Sequence, residues 1–371
     1  MADSRISKLA QVIVDYSVAV KPGDQVFINT APVATPLVQE LYRLLIQRGA
    51  HPLTIVQIPG LEPILYRYAS DEQLQYIPPV MQYIIENFDV RIHISSDTNT
   101  RELTGVDPAR QALRAQAMRP LTKTFMERSA SGALRWNVCL FPTNAFAQDA
   151  DMSTADFEDF VYNACLLNDP DPVASWQQVR AKQQTLVDWL QGKREVHLIG
   201  PDTDLRIGIA GRTWENCFGD ANMPDGEVFT GPEETLVNGT VRFSFPAIFR
   251  GREVEDVRLW FEDGVVVKAS AAKNEAFLTE MLDTDAGARR LGEFAFGANY
   301  GIQRPIKNML FDEKIGGTVH MALGAGYPET GSVNESGIHW DMLCDLRQGG
   351  EVYVDGELFA RDGQFALWGA G

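Results

Sequence analysis

The spacing of apolar residues changes character near residue 190, and this change constrains the fold more than any other feature of the sequence. Before it, segments with helical spacing alternate with short apolar segments typical of strands, beginning with a helical pattern over residues 5–20 and a turn and strand over residues 21–30. Asp107 and Pro108 form a typical helix start. Regular alternation favours an α/β layer with a largely parallel sheet. We therefore predict an N-terminal α/β domain over residues 1–190.

After residue 190, strand patterns and tight turns replace the alternation. The segments FEDGVVV and YVDGELF each place an Asp-Gly pair between apolar runs, which is a strong hairpin signal. A chain of 371 residues is long enough for two domains. The sequence therefore predicts a second, mixed α+β domain over residues 191–371, which is also where the candidate functional residues lie.

Composition excludes several classes of function. The chain has 33 basic and 50 acidic residues and a net charge of −17, the wrong sign for neutralising phosphates. It has neither a G-x-G-x-x-G nor a Walker-type phosphate loop. Its four cysteines are far apart, so neither a thiolate zinc site nor a disulfide framework is predicted. Neither a secretory signal nor a membrane-spanning run is evident. We expect a cytoplasmic protein that binds neither nucleic acid nor membranes.

The segment NESGIHWDML near the end of the chain places His339 and Asp341 on either side of Trp340. Side chains alternate across a strand, so Trp340 faces the core while His339 and Asp341 share the opposite face. Such a pair can offer two ligand atoms to one metal ion. Taken alone, however, a hydrogen-bonded pair on a surface strand explains the pattern better.

Three more residues in strand contexts favour a metal site. His320 lies in GGTVHMALGAG, Glu227 follows a Pro-Asp-Gly turn, and Glu293 lies beside Phe294 in LGEFAFG, between glycines. Together with His339 and Asp341 they form a plausible ligand set of one domain. Five side chains can serve two ions only with a bridging carboxylate and a bridging water. Oxygen and imidazole donors suit Zn, Mn, Co or Mg.

The motifs NMPDGEVFT, LGEFAFGAN, EKIGGTVHMALGAGYPETG and NESGIHWDM, together with the N-terminal YSVAVKPGDQVFI and PLVQELYRLLIQRGAHP, resemble the metallo-aminopeptidase family of aminopeptidase T and aminopeptidase S. The resemblance covers nearly the whole chain. It implies a homodimeric exopeptidase that acts on peptides with a free N-terminus and holds two divalent metal ions. The implied metal ligands are Glu227, Glu293, His320, His339 and Asp341.

The resemblance also implies a mechanism. A water between the two ions attacks the scissile carbonyl, and Tyr327 in GAGYPETG, which matches a tyrosine placed next to the metals in that family, hydrogen-bonds the developing oxyanion. Glu227 and Glu293 are both candidates for the general base, and Glu335 is a weaker one. If both glutamates are metal ligands, a ligand carboxylate or the metal-bound hydroxide itself is the alternative base. The segment between the two histidines is shorter than in some members, so the preferred N-terminal residue cannot be carried over.

A rival hypothesis assigns a different class of chemistry. His320, His339 and Asp341 alone would suit a single Fe(II), as in ring-cleaving dihydroxypyridine dioxygenases, which resemble the same family. Such a mononuclear site has no need of Glu227 or Glu293 as ligands. Their presence in matching motifs favours the peptidase.

Overall fold

The computed structural model describes residues 3–369. The chain forms two compact units, one of Met1–Ser175 with Gly219–Pro224 and one of Trp176–Phe218 with Asp225–Gly371. The boundary falls near the start of a helix, Pro172–Leu190. That each unit is an independent domain, with a boundary near residue 190, stays a prediction.

Helices and strands follow one another along the chain in the order that the alternating pattern predicts. The helices are α1 Ser4–Gln11, α2 Thr35–Gln47, α3 Leu61–Tyr68, α4 Asp71–Gln75, α5 Pro79–Asn87, α6 Pro108–Ala130, α7 Asn144–Asp149, α8 Thr154–Ala164, α9 Pro172–Leu190, α10 Glu275–Leu282 and α11 Met309–Asp312. Shorter π or 3-10 turns are Val12–Ser17, Pro32–Ala34, Pro328–Thr330 and Ala366–Trp368. The strands are β1 Gln25–Thr30, β2 His51–Val56, β3 Val90–Ser95, β4 Arg135–Leu140, β5 Glu195–Gly200, β6 Thr203–Gly208, β7 Glu215–Cys217, β8 Asn222–Met223, β9 Glu227–Thr230, β10 Val237–Phe243, β11 Ala247–Phe249, β12 Arg252–Val254, β13 Val257–Glu262, β14 Val265–Ser270, β15 Leu291–Gly297, β16 Thr318–Gly324, β17 His339–Asp345, β18 Glu351–Val354, β19 Glu357–Arg361 and β20 Gln364–Phe365.

The first unit contains a parallel sheet in the strand order β2-β1-β3-β4-β8. Helices connect β1, β2, β3 and β4 in turn, as the alternation predicts, whereas β8 follows three strands of the second unit. Helix α6 begins at Pro108, and Asp107 caps it by accepting a 2.9 Å hydrogen bond from the backbone N–H of Ala109. The predicted α/β architecture with a largely parallel sheet is confirmed.

The second unit contains two antiparallel sheets, in the orders β14-β13-β10-β6-β5-β18-β19-β20 and β17-β16-β15-β9-β7, and a small β11-β12 ribbon. The two larger sheets share one hydrophobic core, to which Leu259 of the first and Phe294 of the second contribute. Both predicted Asp-Gly hairpins are present, between β13 and β14 and between β18 and β19, with positive φ at all four turn residues. None of the described helices is long and apolar enough to cross a membrane.

Candidate metal centre

The five predicted ligands lie on four adjacent strands, β17, β16, β15 and β9, of the second unit. Each has a small residue directly opposite it on one neighbouring strand, although His320 also lies opposite Leu343 of β17. The pairs are Glu227 with Gly297, Glu293 with Ala322, His320 with Ala295, Asp341 with Ala322 and His339 with Gly324. The period-two pattern of the sequence thus brings all five side chains to one place.

The five side chains form two groups that share one glutamate. In the inner group, His320 Nε2 lies 3.2 Å from Glu227 Oε2 and 3.6 Å from Glu293 Oε1. In the outer group, His339 Nε2 lies 3.2 Å from Glu293 Oε2 and 3.5 Å from Asp341 Oδ2. The ligand atoms within each group lie within 4.8 Å of one another. Glu293 therefore presents one oxygen to each group.

The side chains meet the requirements of a divalent ion. Asp341 Oδ1 is one of the buried side-chain atoms of residues 3–369 that have no hydrogen-bond partner. His339 Nδ1 donates a 2.8 Å hydrogen bond to the carbonyl of Ala325, which leaves Nε2 as the nitrogen that faces the carboxylates. An unsatisfied buried oxygen and an oriented imidazole are features expected of metal ligands.

The pKa values at the centre show that its carboxylates favour positive charge. Burial alone would lower the pKa of His339, but hydrogen bonds to Asp341 and Glu293 outweigh it and raise this pKa to about 11. Burial likewise opposes the effect of Glu227 and Glu293 on His320, whose pKa is nevertheless raised well above its ordinary range. A divalent ion can supply the same positive charge when both imidazoles are neutral.

Trp340 holds the last two ligands in place, as its position between them predicts. It is buried, and its ring stacks on Phe249 at 5.3 Å and contacts Phe277 at 5.9 Å. His339 and Asp341 therefore project from the other face of β17. His320 is more deeply buried than the open strand face suggested by its small neighbours, because Glu227 and Glu293 enclose it.

Tyr327 lies beside the outer group. Its ring centroid is 5.2 Å from that of His339 and 5.4 Å from that of Phe229. Burial, together with the nearby charge of Glu293 and Asp341, raises the pKa of Tyr327 far above its ordinary value, so the phenol keeps its proton. Glu335, in contrast, is an exposed loop residue.

Three charged residues at the centre escaped the sequence interpretation. Lys314 Nζ lies 2.7 Å from Glu227 Oε1, 2.6 Å from Glu313 Oε1 and 3.7 Å from Asp225 Oδ1. The carboxylate of Glu313 also lies within 4.8 Å of ligand atoms of His320 and Asp341. The sequence offers one signal for Glu313 and Lys314, which are adjacent and directly precede Ile-Gly-Gly. This signal is weak, because an exposed ion pair explains the same two residues equally well.

Buried polar contacts hold Glu227 at the start of β9. The side-chain amide of Gln183 donates to the backbone carbonyls of Glu227 and Cys217, at 3.1 and 2.8 Å. Gly226, just before Glu227, has φ of +126°, and a Cβ there would lie 2.8 Å from the Cβ of Asn299. The Pro-Asp-Gly turn therefore needs its glycine to bring Glu227 into the centre.

Comparisons with known proteins point to metallo-aminopeptidases. The chain matches the family described as thermophilic metalloprotease (M29) over residues 2–365. Aminopeptidase 2 of Geobacillus stearothermophilus is 28% identical over an alignment of 414 positions that covers 98% of each chain. Aminopeptidase T of Thermus thermophilus is 28% identical and covers 95% of this chain and 94% of its own. Aminopeptidase PepS of Streptococcus thermophilus is 25% identical with the same coverage.

Solved structures agree as well. The structure of wild-type AmpT from Thermus thermophilus superposes with a TM-score of 0.86 at 25% identity, covering 98% of this chain and 99% of that one. None of these matches supports the rival hypothesis of a mononuclear dioxygenase. The chain belongs to the thermophilic metalloprotease (M29) family, as its motifs and its cluster of carboxylates and imidazoles indicated.

Proposed function

We propose that this metallo-aminopeptidase removes the N-terminal residue of peptides with two divalent metal ions, one held by the inner group and one by the outer group. The observation that carries the proposal is the position of Glu293, whose two oxygens face the two histidines at 3.6 and 3.2 Å. A carboxylate so placed suits a bridge between two ions. Zn, Co, Mn and Mg all accept such oxygen and imidazole donors.

The charges around the two groups favour bound cations. Glu227, Glu293 and Asp341 belong to the groups, and two further carboxylates, Asp225 and Glu313, lie beside them. Burial raises the pKa of Glu313 to about 8, so this carboxyl is largely protonated at neutral pH, and Lys314 offsets one of the four remaining negative charges. Divalent ions would offset the others, because uncompensated buried charge is strongly unfavourable.

Bound divalent ions supply Lewis acidity, which acidifies a water and polarises the scissile carbonyl. Tyr327 keeps its phenolic proton and can donate it in a hydrogen bond to the oxygen on which negative charge develops. Its position beside His339 places this donor on the outer side of the centre.

The proton of the attacking water needs an acceptor. Both oxygens of Glu293 face histidines, and Glu227 is engaged by Lys314 at Oε1 and by His320 at Oε2. Glu313 is a carboxylate beside the centre that belongs to neither group, and Lys314 lies 2.6 Å from one of its oxygens. Burial raises the pKa of Glu313 to about 8, which is close to the pH range in which a general base has to work. We therefore assign proton acceptance to Glu313 rather than to Glu227 or Glu293.

Metal content and turnover, measured together, test the proposal. We expect two Zn²⁺ or Co²⁺ ions per chain and release of the amine from an aminoacyl chromogenic substrate. Glu293→Gln is expected to lose one ion and to lower kcat by at least about a thousandfold. Glu313→Gln, its matched control, is expected to keep both ions and to lose turnover. A single bound iron with oxygen uptake on a hydroxylated aromatic would contradict the proposal.

Two further parts of the proposal concern the setting of the enzyme. We assign it to the cytoplasm, and the absence of disulfides among its four cysteines, all within residues 3–369, agrees with a reducing compartment. We also assign it a homodimeric state, which rests on the family resemblance. Sedimentation of the purified chain at several concentrations tests the dimer, and a monomer throughout would contradict it.

A further inference from the structure

Lys314 is a buried cation among acidic side chains next to the inner group. Its side chain is 1% exposed, and those of its partners Asp225 and Glu227 are 1% and 7% exposed. A buried ammonium is tolerated only where neighbouring negative charges compensate it. Lys314 therefore contributes a permanent positive charge that compensates part of the negative charge of the centre.

Some of the same side chains also form a potential third metal site. Ligand atoms of Cys217, Asp225 and Glu227 lie within 4.8 Å of one another, the same limit that joins the members of the inner and outer groups. A thiolate with two carboxylates suits Zn²⁺ or Co²⁺. The ammonium of Lys314 interacts electrostatically with all three of these residues, so an ion there would meet a positive charge at close range.

We propose that Lys314 acts as a tethered cation that excludes a metal ion from the Cys217, Asp225 and Glu227 group and so limits the centre to two ions. This inference rests on the two-metal function proposed above. Lys314 is also a positioning residue, because its contact with Oε1 of Glu227 turns Oε2 of that carboxylate towards His320. One lysine thereby fixes both the number of ions and the direction of one ligand.

Cobalt provides a test with a spectroscopic signature. Co²⁺ bound to a thiolate gives a ligand-to-metal charge-transfer absorption that oxygen and imidazole ligands do not give. For the native sequence loaded with Co²⁺, we expect two ions per chain by equilibrium dialysis and no thiolate absorption. Lys314→Ala removes both the charge and the bulk of the side chain, so we expect a third Co²⁺ and the appearance of the absorption.

Two controls locate the effect. Adding Cys217→Ser to Lys314→Ala is expected to abolish the thiolate absorption. Lys273→Ala removes an exposed lysine that pairs with Glu253 and Glu255 away from the centre, and it is expected to leave two ions and no absorption. These controls separate a third ion at Cys217 from a general effect of losing a lysine.

The outcomes distinguish this inference from the function on which it rests. A thiolate–cobalt absorption in the native protein would overturn the inference, and this measurement needs no variant to fold. A folded Lys314→Ala protein with two ions and no absorption would overturn it as well, while leaving the two-metal function intact. Fewer than two ions in the native protein would instead contradict the two-metal function, and the inference with it.

Discussion

The inner and outer groups share Glu293 but have different surroundings. The side chain of His320 in the inner group is 1% exposed, whereas that of His339 in the outer group is 28% exposed. Lys314 and its acidic partners enclose the inner group, and Tyr327 lies beside the outer one. The difference teaches that the two groups are not equivalent. The side chains of the inner group are enclosed by charged partners, and the outer group is the more exposed of the two.

Replacing Tyr327, which lies beside the outer group, by Phe should have the largest effect: it should lower kcat without changing either group of candidate ligands. The change removes one hydroxyl from the outer side and leaves the ring packed on His339 and Phe229. We expect kcat to fall by about a hundredfold to a thousandfold, because an oxyanion donor is lost. The metal content and the melting temperature should stay unchanged, since neither group loses a ligand. An unchanged kcat would remove Tyr327 from the chemistry.

One carboxylate in each group can be replaced by the matching amide, and the two losses in the free energy of unfolding can then be compared. Glu227→Gln leaves Lys314 short of one buried partner, so we expect a loss of about 2–3 kcal/mol in the free energy of unfolding. Asp341→Asn in the more open outer group should cost about 1 kcal/mol. Both are measured by urea unfolding in the presence of a chelator, so that loss of metal does not contribute. Equal costs would show that the groups are structurally equivalent.

The position of the five candidate ligands on one face could be predicted from the sequence because each lies on a strand whose alternate residues are apolar. Glu293 lies beside buried Phe294, and His339 and Asp341 flank buried Trp340. The period of two therefore determines which face each polar side chain occupies. Two other signals predicted the parallel sheet of the first unit and both hairpins of the second: the alternation of helical and strand patterns, and the two Asp-Gly pairs.

Lys314 and Glu313 could not be found in this way, because they follow the short helix α11 in a turn without periodicity. An adjacent Glu-Lys pair is usually solvated, and only the tertiary structure buries this lysine. Strand β8, Asn222–Met223, illustrates the same limit. Two residues are too few to show a period, yet they pair with β4 in the parallel sheet from a distant part of the chain. The local sequence pattern predicts helices and strands, whereas contacts between distant parts of the chain determine where Lys314, Glu313 and β8 lie.

The smallest effect concerns the segment that leads into the outer group. Asp285 ties this segment to the loop before β15. Its carboxylate accepts hydrogen bonds from the backbone N–H groups of Gly287, Ala288 and Gly337, at 3.0, 2.9 and 2.6 Å, and from the hydroxyl of Ser336 at 2.8 Å. Asp285→Asn keeps the shape but loses the charge. We expect a cost of about 0.5–1 kcal/mol at neutral pH, reduced by the exposure of the site. Asp283→Asn, an exposed neighbour paired with Arg289, is the control and should cost less than about 0.5 kcal/mol.

The pH dependence of this cost gives a separate check. Partial burial alone would raise the pKa of Asp285, but its hydrogen bonds, led by that from Gly337, outweigh burial and lower the pKa below the ordinary value of 3.8. A carboxylate with a lowered pKa stabilises the fold above its unfolded-state pKa, and this contribution is lost as the pH falls through the folded-state pKa. The difference between the native chain and Asp285→Asn should therefore be constant from neutral pH down to about pH 5 and shrink below about pH 4. None of the hydrogen bonds of Asp285 within residues 3–369 goes to a member of the inner group, so metal binding there should not change. A difference that persists undiminished at acid pH would mean that the amide disturbs the loop by its shape and not by its charge.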